Sequence, residues 1–394
     1  MRIALDARVI YAPHRRGIGR SLLRLYQEVA RIRPDWRVMA LHRKPDKPRG
    51  WEPIASSTLL AMPVGFWQHR EVEMPGDRLD AWNRYRLPSE ASRLEADVLH
   101  CPANACPSSS KVPMLVTIHD LIPLDHNDGQ SAAEKRRYDG WMKNAVQRAA
   151  GILCVSQYTA DALASRYAVH PDRVTVCPHG IDPAPQPTEE DLHRVTDRYP
   201  LDRPFLLHLG AAGPRKNTTR VLEAWSKVPR TLRESHRLLV VGLDTATKQT
   251  LSANLGPVGL RDSVSLCGFA AAEDLPVLMA RAEGLVFASR AEGFGLPLLE
   301  AFAAGTPVIT SDRTSLPEVA GEAALFVDPK DGNAIAKAMQ KILTDQSLRS
   351  SLIEKGTARC EAFTWRHAAE TFVQQVERVA QGASRPHRRR GKAA

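Results

Sequence analysis

The stretch Leu285-Val286-Phe287-Ala288-Ser289-Arg290-Ala291-Glu292-Gly293-Phe294-Gly295-Leu296-Pro297-Leu298-Leu299-Glu300 decides the fold class. Leu285–Phe287 reads as a short buried strand, the two glycines as a sharp turn, and the residues after them as an apolar helix. Pro297 suits the start of that helix, where its missing N–H costs nothing. A buried strand running through a glycine turn into a helix is one half of a βαβ unit. That predicts a parallel sheet covered on both faces.

The same residues carry chemistry. Gly293 and Gly295 let the backbone turn sharply and let a ligand approach the amides. Exposed N–H groups at the helix start make an anion cradle suited to a diphosphate. Glu300 falls about one turn inside the helix and Glu292 in the loop before it, so the two carboxylates can reach different hydroxyls of one extended polar ligand. The plain alternative is a solvated loop acid and a surface residue. It fits poorly for an acid that begins the apolar run LEAFAAG.

Working outward, Gly210-Ala211-Ala212-Gly213-Pro214-Arg215-Lys216-Asn217 follows the apolar run Phe205–Leu209 and precedes a helix from about Thr218. Adjacent cations at a strand's carboxyl end sit where open α/β sheets bind ligands. Lys216 can compensate charge developing on a leaving phosphate, and Arg215 can grip the same group with two donors. A helix-capping pair in solvent is the competing reading. The GxxxxGK[ST] spacing of a P-loop is absent.

Further strands are expected at Leu238–Val241, Val264–Leu266 and Pro307–Thr310, and helices at Asn333–Leu343, Leu348–Arg359 and His367–Ala380. The first half repeats the alternation. Strands are expected at Ile3–Leu5, Arg37–Leu41, Asp97–His100, Met114–His119, Ile152–Val155 and Val174–Val176, with helices at Ser21–Ala30 and Ala133–Ala149. Pro45–Pro88 has no clean period. Trp67 and Trp82 within it either face a ligand or membrane, or are ordinary core.

Three prolines in Ile181–Pro187 separate the halves. The expected organisation is a first domain over 1–182, a linker over 183–200 and a second domain over 201–360. A further helix is expected over 361–383, and a basic, disordered tail over 384–394.

Gly17-Ile18-Gly19-Arg20 is expected just ahead of the first helix. It lacks the third glycine of a dinucleotide fingerprint. His119-Asp120 ends the strand MLVTIH. There His119 either donates to a sugar hydroxyl or a developing charge, with Asp120 orienting the ring, or is a structural histidine. His208, inside FLLHLG, reads as structural, and His179 fits either role.

The chain has 394 residues and a net charge of +10, with 43% hydrophobic and 25% charged residues. That composition excludes disordered and collagen-like classes. Arg385, Arg388, Arg389, Arg390 and Lys392 crowd the tail, so the body carries only about half of the excess, which weakens a nucleic-acid reading that wants a basic face on the folded part. The tail suits an anionic membrane surface, another partner or no partner at all. Six scattered cysteines with no CxxC pair argue against a disulfide scaffold or a metal site. With no signal peptide and no membrane-spanning run, the expected compartment is the cytoplasm.

EGFGLPLLE with AFAAGTPVITSDRTSLPEVAGEAALFVDP resembles the signature of retaining glycosyltransferases of family 4. GIGR, TIHDLIPL, CVSQYTADAL, PHGID, HLGAAGPRKN and CGFAAAEDLPVLMARAE are similar in kind and order, so the likeness runs from Gly17 to Pro329. It implies the α/β fold called GT-B: two Rossmann-like domains facing across a cleft, with a C-terminal helix crossing back to the first.

Carried onto this sequence, the resemblance makes His119, Lys216 and Glu292 catalytic. Glu292 then holds donor-sugar hydroxyls, Glu300 the ribose, and the Gly295 and Leu296 amides the diphosphate. Gly293 and Phe294 complete that loop. Arg215 and Lys216 stabilise the leaving nucleoside diphosphate, Gly17 and Gly19 close over the substrates, and Gly268 and Phe269 meet the base. Ala211 and Ala212 stand where some members carry another phosphate-binding arginine; Arg20 is a candidate substitute.

The implied reaction is hexosyl transfer with retention by front-face attack, needing neither cofactor nor metal. The donor is expected to be GDP-mannose, with UDP-sugars as the alternative. The expected acceptor is a saccharide or a polyprenyl-linked oligosaccharide, used at the cytoplasmic face of the inner membrane without nucleic acid as partner. A sugar-nucleotide epimerase, a phosphorylase and an inert nucleotide-sugar-binding scaffold are the competing classes.

Overall fold

The computed structural model describes residues 1–11, 17–43, 62–72, 81–126, 129–256 and 259–384. Its internal contacts form two units. The first holds residues 1–120, 133–180 and 365 onward, and the second holds 121–132 and 181–364.

The first unit is a seven-stranded sheet in the order β3-β2-β1-β4-β5-β6-β7, every pair parallel. Its strands are β1 (Arg2–Asp6), β2 (Arg37–Arg43), β3 (Trp67–Val72), β4 (Val98–Cys101), β5 (Met114–Ile118), β6 (Gly151–Cys154) and β7 (Val174–Val176). Residues in β4 and β6 are buried throughout, as a sheet covered on both faces demands. β3 escapes detection in the sequence because it is an edge strand. Four of its six residues are exposed, and it pairs only with β2.

The helix Gly17–Ile32 lays Leu22, Leu23, Tyr26, Val29 and Ala30 on this sheet. Beside it lies the last helix, Trp365–Ser384, whose Phe372, Val373 and Val376 enter the same core as Ile3, Leu5 and Trp36. Glu377 on that helix pairs with Arg33. The C-terminal helix therefore completes the first unit's core.

One expectation changes here, and the two tryptophans left open find their places in the packing. The GIGR residues form the first turn of their helix instead of a loop ahead of it, and residues 12–16 before them lie outside the described set. Trp82 is core at 1% exposure, in a π-helical turn over Trp82–Arg86. Trp67 is partly buried, edge-on to Tyr26, and its Nε1 donates to the Tyr11 hydroxyl at 3.2 Å. Residues 44–61 and 73–80 of the unreadable stretch, and the tail from 385, also lie outside the described residues.

The second unit repeats the topology with six parallel strands in the order β10-β9-β8-β11-β12-β13. They are β8 (Phe205–Leu209), β9 (Arg237–Val241), β10 (Val264–Leu266), β11 (Gly284–Phe287), β12 (Val308–Ser311) and β13 (Ala324–Val327). The stretch 183–200, expected as a linker, is corrected: it contains the helix Glu189–Arg198, opened by a Thr188/Asp191 capping box. Arg194 and Arg198 there pair with Asp274, which is fully buried and also accepts from the Tyr199 hydroxyl at 3.0 Å.

In both sheets the strand order reverses beside the first strand of the unit. β8 lies against β11, and their carboxyl ends lead to loops that leave in opposite directions. Such a switch point opens a crevice at the carboxyl edge. The two charged loops singled out in the sequence are these two exits.

Candidate active site

The β8 exit turns through a single 3-10 turn, Pro214–Lys216, into the helix Thr218–Ser226. Asn217 joins them at φ 63°, a left-handed conformation that asparagine tolerates. Its buried amide donates to Ala288 O at 2.9 Å and Pro329 O at 2.7 Å, and its oxygen accepts from Arg290 Nε at 3.1 Å. The Arg290 N–H donates to Arg215 O at 2.8 Å, so the two loops are bound to each other along their backbones.

This brings three of the expected residues together. Glu292 Oε1 lies 2.7 Å from Lys216 Nζ, and Glu292 Oε2 lies 2.7 Å from Arg215 Nη1. The Glu292 side chain is only 13% exposed. Burial alone would raise its pKa. The charges of Lys216 and Arg215 outweigh that effect and hold it below the usual carboxylate value. Lys216 also stands over the Phe287 ring, 4.5 Å from its centroid. Two cations to one carboxylate leave the trio with a net positive charge, half-buried and rigidly held. A cluster of that charge attracts anions.

The helix Leu296–Ala303 begins next to this trio, with Gly295 at φ 111°. A Cβ at Gly295 would approach Leu316 Cδ2 to 2.8 Å, so both space and backbone require glycine there. Phe294 is buried and packs edge-on against Phe363 at 5.8 Å, which leaves its backbone as the part able to meet a ligand. Glu300 is half-buried on the same helix, about one turn further on. At the end of β10, Gly268 O accepts from Gly242 N–H at 2.8 Å, and the Phe269 ring is 76% exposed. A cavity of about 370 Å³ opens beside the β8 exit, lined by Ala211–Pro214, Thr218, Thr247 and Arg290 among others.

Gly17, Gly19 and His119 belong to the first unit. His119 follows β5, is 9% exposed, and its ring stacks with that of His179 at 5.6 Å. Its backbone N–H donates to Asn104 Oδ1 at 2.6 Å. The ring Nε2 lies 2.8 Å from Pro102 O, an acceptor, so Nε2 carries the proton and Nδ1 is left as an acceptor. Burial lowers the pKa of His119 and pushes that of His179 down to about 3. The expectation that His119 donates outward with Asp120 orienting it is thereby altered: Pro102 orients the ring, and Nδ1 accepts. His208 is structural as read, held between Val286 O at 2.8 Å and Thr218 Oγ1 at 3.3 Å.

Sequence reasoning passed over Asn217 as a clamp, and also Thr314 and Ser315, whose hydroxyls meet the Glu292 loop. A β-branched residue in a left-handed turn, as Thr314 is, leaves no mark in the sequence. Among the described residues no three His, Cys, Asp or Glu side chains gather to hold a metal ion, and no helix is long and apolar enough to cross a membrane.

Residues 15–185 match the family described as Glycosyltransferase Family 4, and residues 190–359 match Glycosyl transferases group 1. The chain is 31% identical, over 66% of its length and 68% of the relative's, to O-antigen chain mannosyltransferase B of Escherichia coli. This chain belongs to that glycosyltransferase family. It is 30% identical to the MMP alpha-(1->4)-mannosyltransferase of Mycolicibacterium hassiacum, over 68% of this chain and 66% of that one. It spans about a third of the serotype-specific mannosyltransferase WbdA of Escherichia coli.

Among solved structures, sucrose-phosphate synthase from Thermosynechococcus elongatus aligns with a TM-score of 0.76 over 97% of this chain and 100% of that one. At 22% identity that likeness speaks for the fold alone. The glycosyltransferase thus has the GT-B fold: two parallel-sheet Rossmann-like domains, with the C-terminal helix packed on the helix Gly17–Ile32.

Proposed function

We propose that this glycosyltransferase moves a hexose from a nucleoside-diphosphate sugar to a hydroxyl of a saccharide or polyprenyl-linked oligosaccharide, with retention at the anomeric carbon. The observation that carries the proposal is the Arg215–Glu292–Lys216 trio beside the helix start at Gly295–Leu296. When the glycosidic bond breaks, negative charge appears on the leaving diphosphate. Lys216 and Arg215 offset it, and the Gly295 and Leu296 amides bind it through fixed dipoles. Such a set stabilises the leaving group without a metal ion.

Glu292, once a diphosphate competes for its two cations, is free to turn to the sugar hydroxyls. Glu300 takes the ribose, and Gly268 and Phe269 the base. His119, through Nδ1, accepts from a donor-sugar hydroxyl. A donor phosphate oxygen takes the acceptor's proton as it attacks on the same face, so no protein nucleophile is required. Gly17 and Gly19, at a helix start, serve the donor or the acceptor. The place of action is the cytoplasmic face of a membrane bearing the acceptor, in surface polysaccharide or glycolipid synthesis.

Two donors suit this site. The mannosyltransferase names of the relatives support GDP-mannose. A UDP-hexose is the second, for which glucose is the sugar favoured by another relative's name: the lipopolysaccharide glucosyltransferase WaaG of Escherichia coli, 30% identical over 52% of this chain. Calorimetry with GDP, UDP, GDP-mannose and UDP-glucose decides between them. The expected result is tight binding of one base series, weakened in Lys216→Ala. Equal and negligible binding of all four sinks the assignment and favours an inert scaffold.

A further inference from the structure

Thr314 and Ser315 lie in the turn between β12 and the short helix Leu316–Ala320, and their hydroxyls close on the Glu292 loop. Thr314 has φ 56°, a left-handed backbone that is a real outlier for a β-branched residue. In that conformation its Oγ1 accepts from the Glu292 N–H at 3.0 Å and donates to Arg313 O at 2.8 Å. Local strain of this kind persists only where the surroundings over-determine it, and it gathers at functional sites.

Ser315 is fully buried. Its Oγ lies 2.8 Å from Glu292 O and 2.9 Å from Phe294 O, so one hydroxyl hydrogen is shared between two carbonyls. The chain has no cis peptide bond among its described residues. In a planar trans peptide the C=O and the following N–H point in opposite directions. Drawing the carbonyls of Glu292 and Phe294 onto Ser315 therefore turns the N–H groups of Gly293 and Gly295 to the other side of the loop. Both peptides run into glycine, the residue at which rotation meets least steric resistance.

We propose that Thr314 and Ser315 are positioning residues for phosphate recognition. Ser315 fixes the direction of the Gly293 and Gly295 amides, and Thr314 holds the Glu292 backbone where its carboxylate meets Arg215 and Lys216. The proposal rests on the reading of this loop as a diphosphate site. A rotated peptide would present a carbonyl oxygen to the phosphate in place of an N–H, exchanging attraction for repulsion.

The test compares Ser315→Ala and Thr314→Gly with the wild type in calorimetric binding of GDP and UDP. Guanosine and uridine are measured by competition, alongside melting temperature and donor turnover. For the diphosphate that the wild type binds, Ser315→Ala is expected to bind about tenfold more weakly, the size of one lost hydrogen-bonding arrangement. The matching nucleoside should be held as well as before. Thr314→Gly relieves the backbone strain, so its melting temperature should hold or rise while kcat falls several-fold.

Unchanged diphosphate binding in Ser315→Ala, or a parallel loss of the nucleoside, overturns the inference and leaves the site reading standing. Full kcat in Thr314→Gly overturns the part assigned to Thr314. A wild type that binds no nucleoside diphosphate overturns the site reading itself, and the inference with it.

Discussion

In the second unit, the ends of β8 and β11 carry two cations locked to one buried carboxylate. In the first unit, the loops after β5 and β7 carry His119 and His179, stacked on each other and held neutral by burial. Both sheets are parallel and share the same order around their switch points. The backbone therefore does not account for the difference. It lies in which side chains the exit loops supply and in what pairs with them. A charged trio suits a reaction that releases an anion. Neutral histidines suit the recognition of hydroxyls without adding charge. The comparison teaches that one topology can carry opposite chemistry at its strand exits once its loops are differently loaded.

The sharpest way to break this contrast is to remove charge from the second unit. Lys216→Ala takes away the cation assigned to the leaving group and is expected to lower kcat by about 10²–10³, the range for losing one preorganised stabilising group. A turnover assay with saturating donor reads it. A loss below tenfold would show that Arg215 and the helix start suffice.

Glu292→Gln is expected to cost less, about 10²-fold in kcat, and to do something that Lys216→Ala cannot. With the carboxylate gone, Glu292 no longer competes with the diphosphate for Lys216 and Arg215, so binding of the nucleoside diphosphate should hold or tighten while turnover falls. Calorimetry beside the turnover assay separates the two. Weaker binding would mean that Glu292 chiefly orients the cations.

The smallest effect sharpens the first unit's side. His100 in β4 is fully buried between the Tyr26 hydroxyl at 2.9 Å and Thr117 Oγ1 at 3.0 Å, and burial lowers its pKa from 6.5 to about 3. Between those values the unfolded chain binds the proton and the folded chain does not, so stability falls as pH falls. Glu292, also lowered, adds its loss only below its ordinary value of 4.5. Urea unfolding followed from pH 7 to 5 should therefore show a slope that His100→Gln makes shallower by up to one proton. Glu292→Gln should leave that slope unchanged. The same slope in His100→Gln as in the wild type would place the proton uptake elsewhere.

Much of the fold was legible because its strands are short apolar runs that end in glycine or charged turns. β8, β7 and β10 were bounded in the sequence as they are in the structure. β3 was not, because an edge strand needs no apolar face: Gln68, His69, Arg70 and Glu71 look like loop until β2 supplies their hydrogen bonds. The helix Glu189–Arg198 was hidden by the prolines before it, although Thr188 and Asp191 already spell a capping box. At the candidate site, Arg215, Lys216, Glu292 and Gly295 stood out as charge or glycine at a strand exit. Asn217, Thr314 and Ser315 did not, since small polar residues in turns are common. Their importance lies in partners 21 to 112 positions away.

What the sequence determined by itself was the alternation of buried strands and helices, and the loading of two strand exits with charge and glycine. Local chemistry suffices for both, because periodicity and turn propensity are properties of neighbouring residues. Tertiary structure alone decided that Glu292 closes onto Arg215 and Lys216, that Pro102 O accepts the hydrogen bond of His119 Nε2–H, and that Ser315 Oγ binds two carbonyls of the Glu292 loop. Each of these depends on a partner brought near only when the parallel strands align. A hydrogen bond or ion pair depends on distance in space, and distance along the chain does not report it.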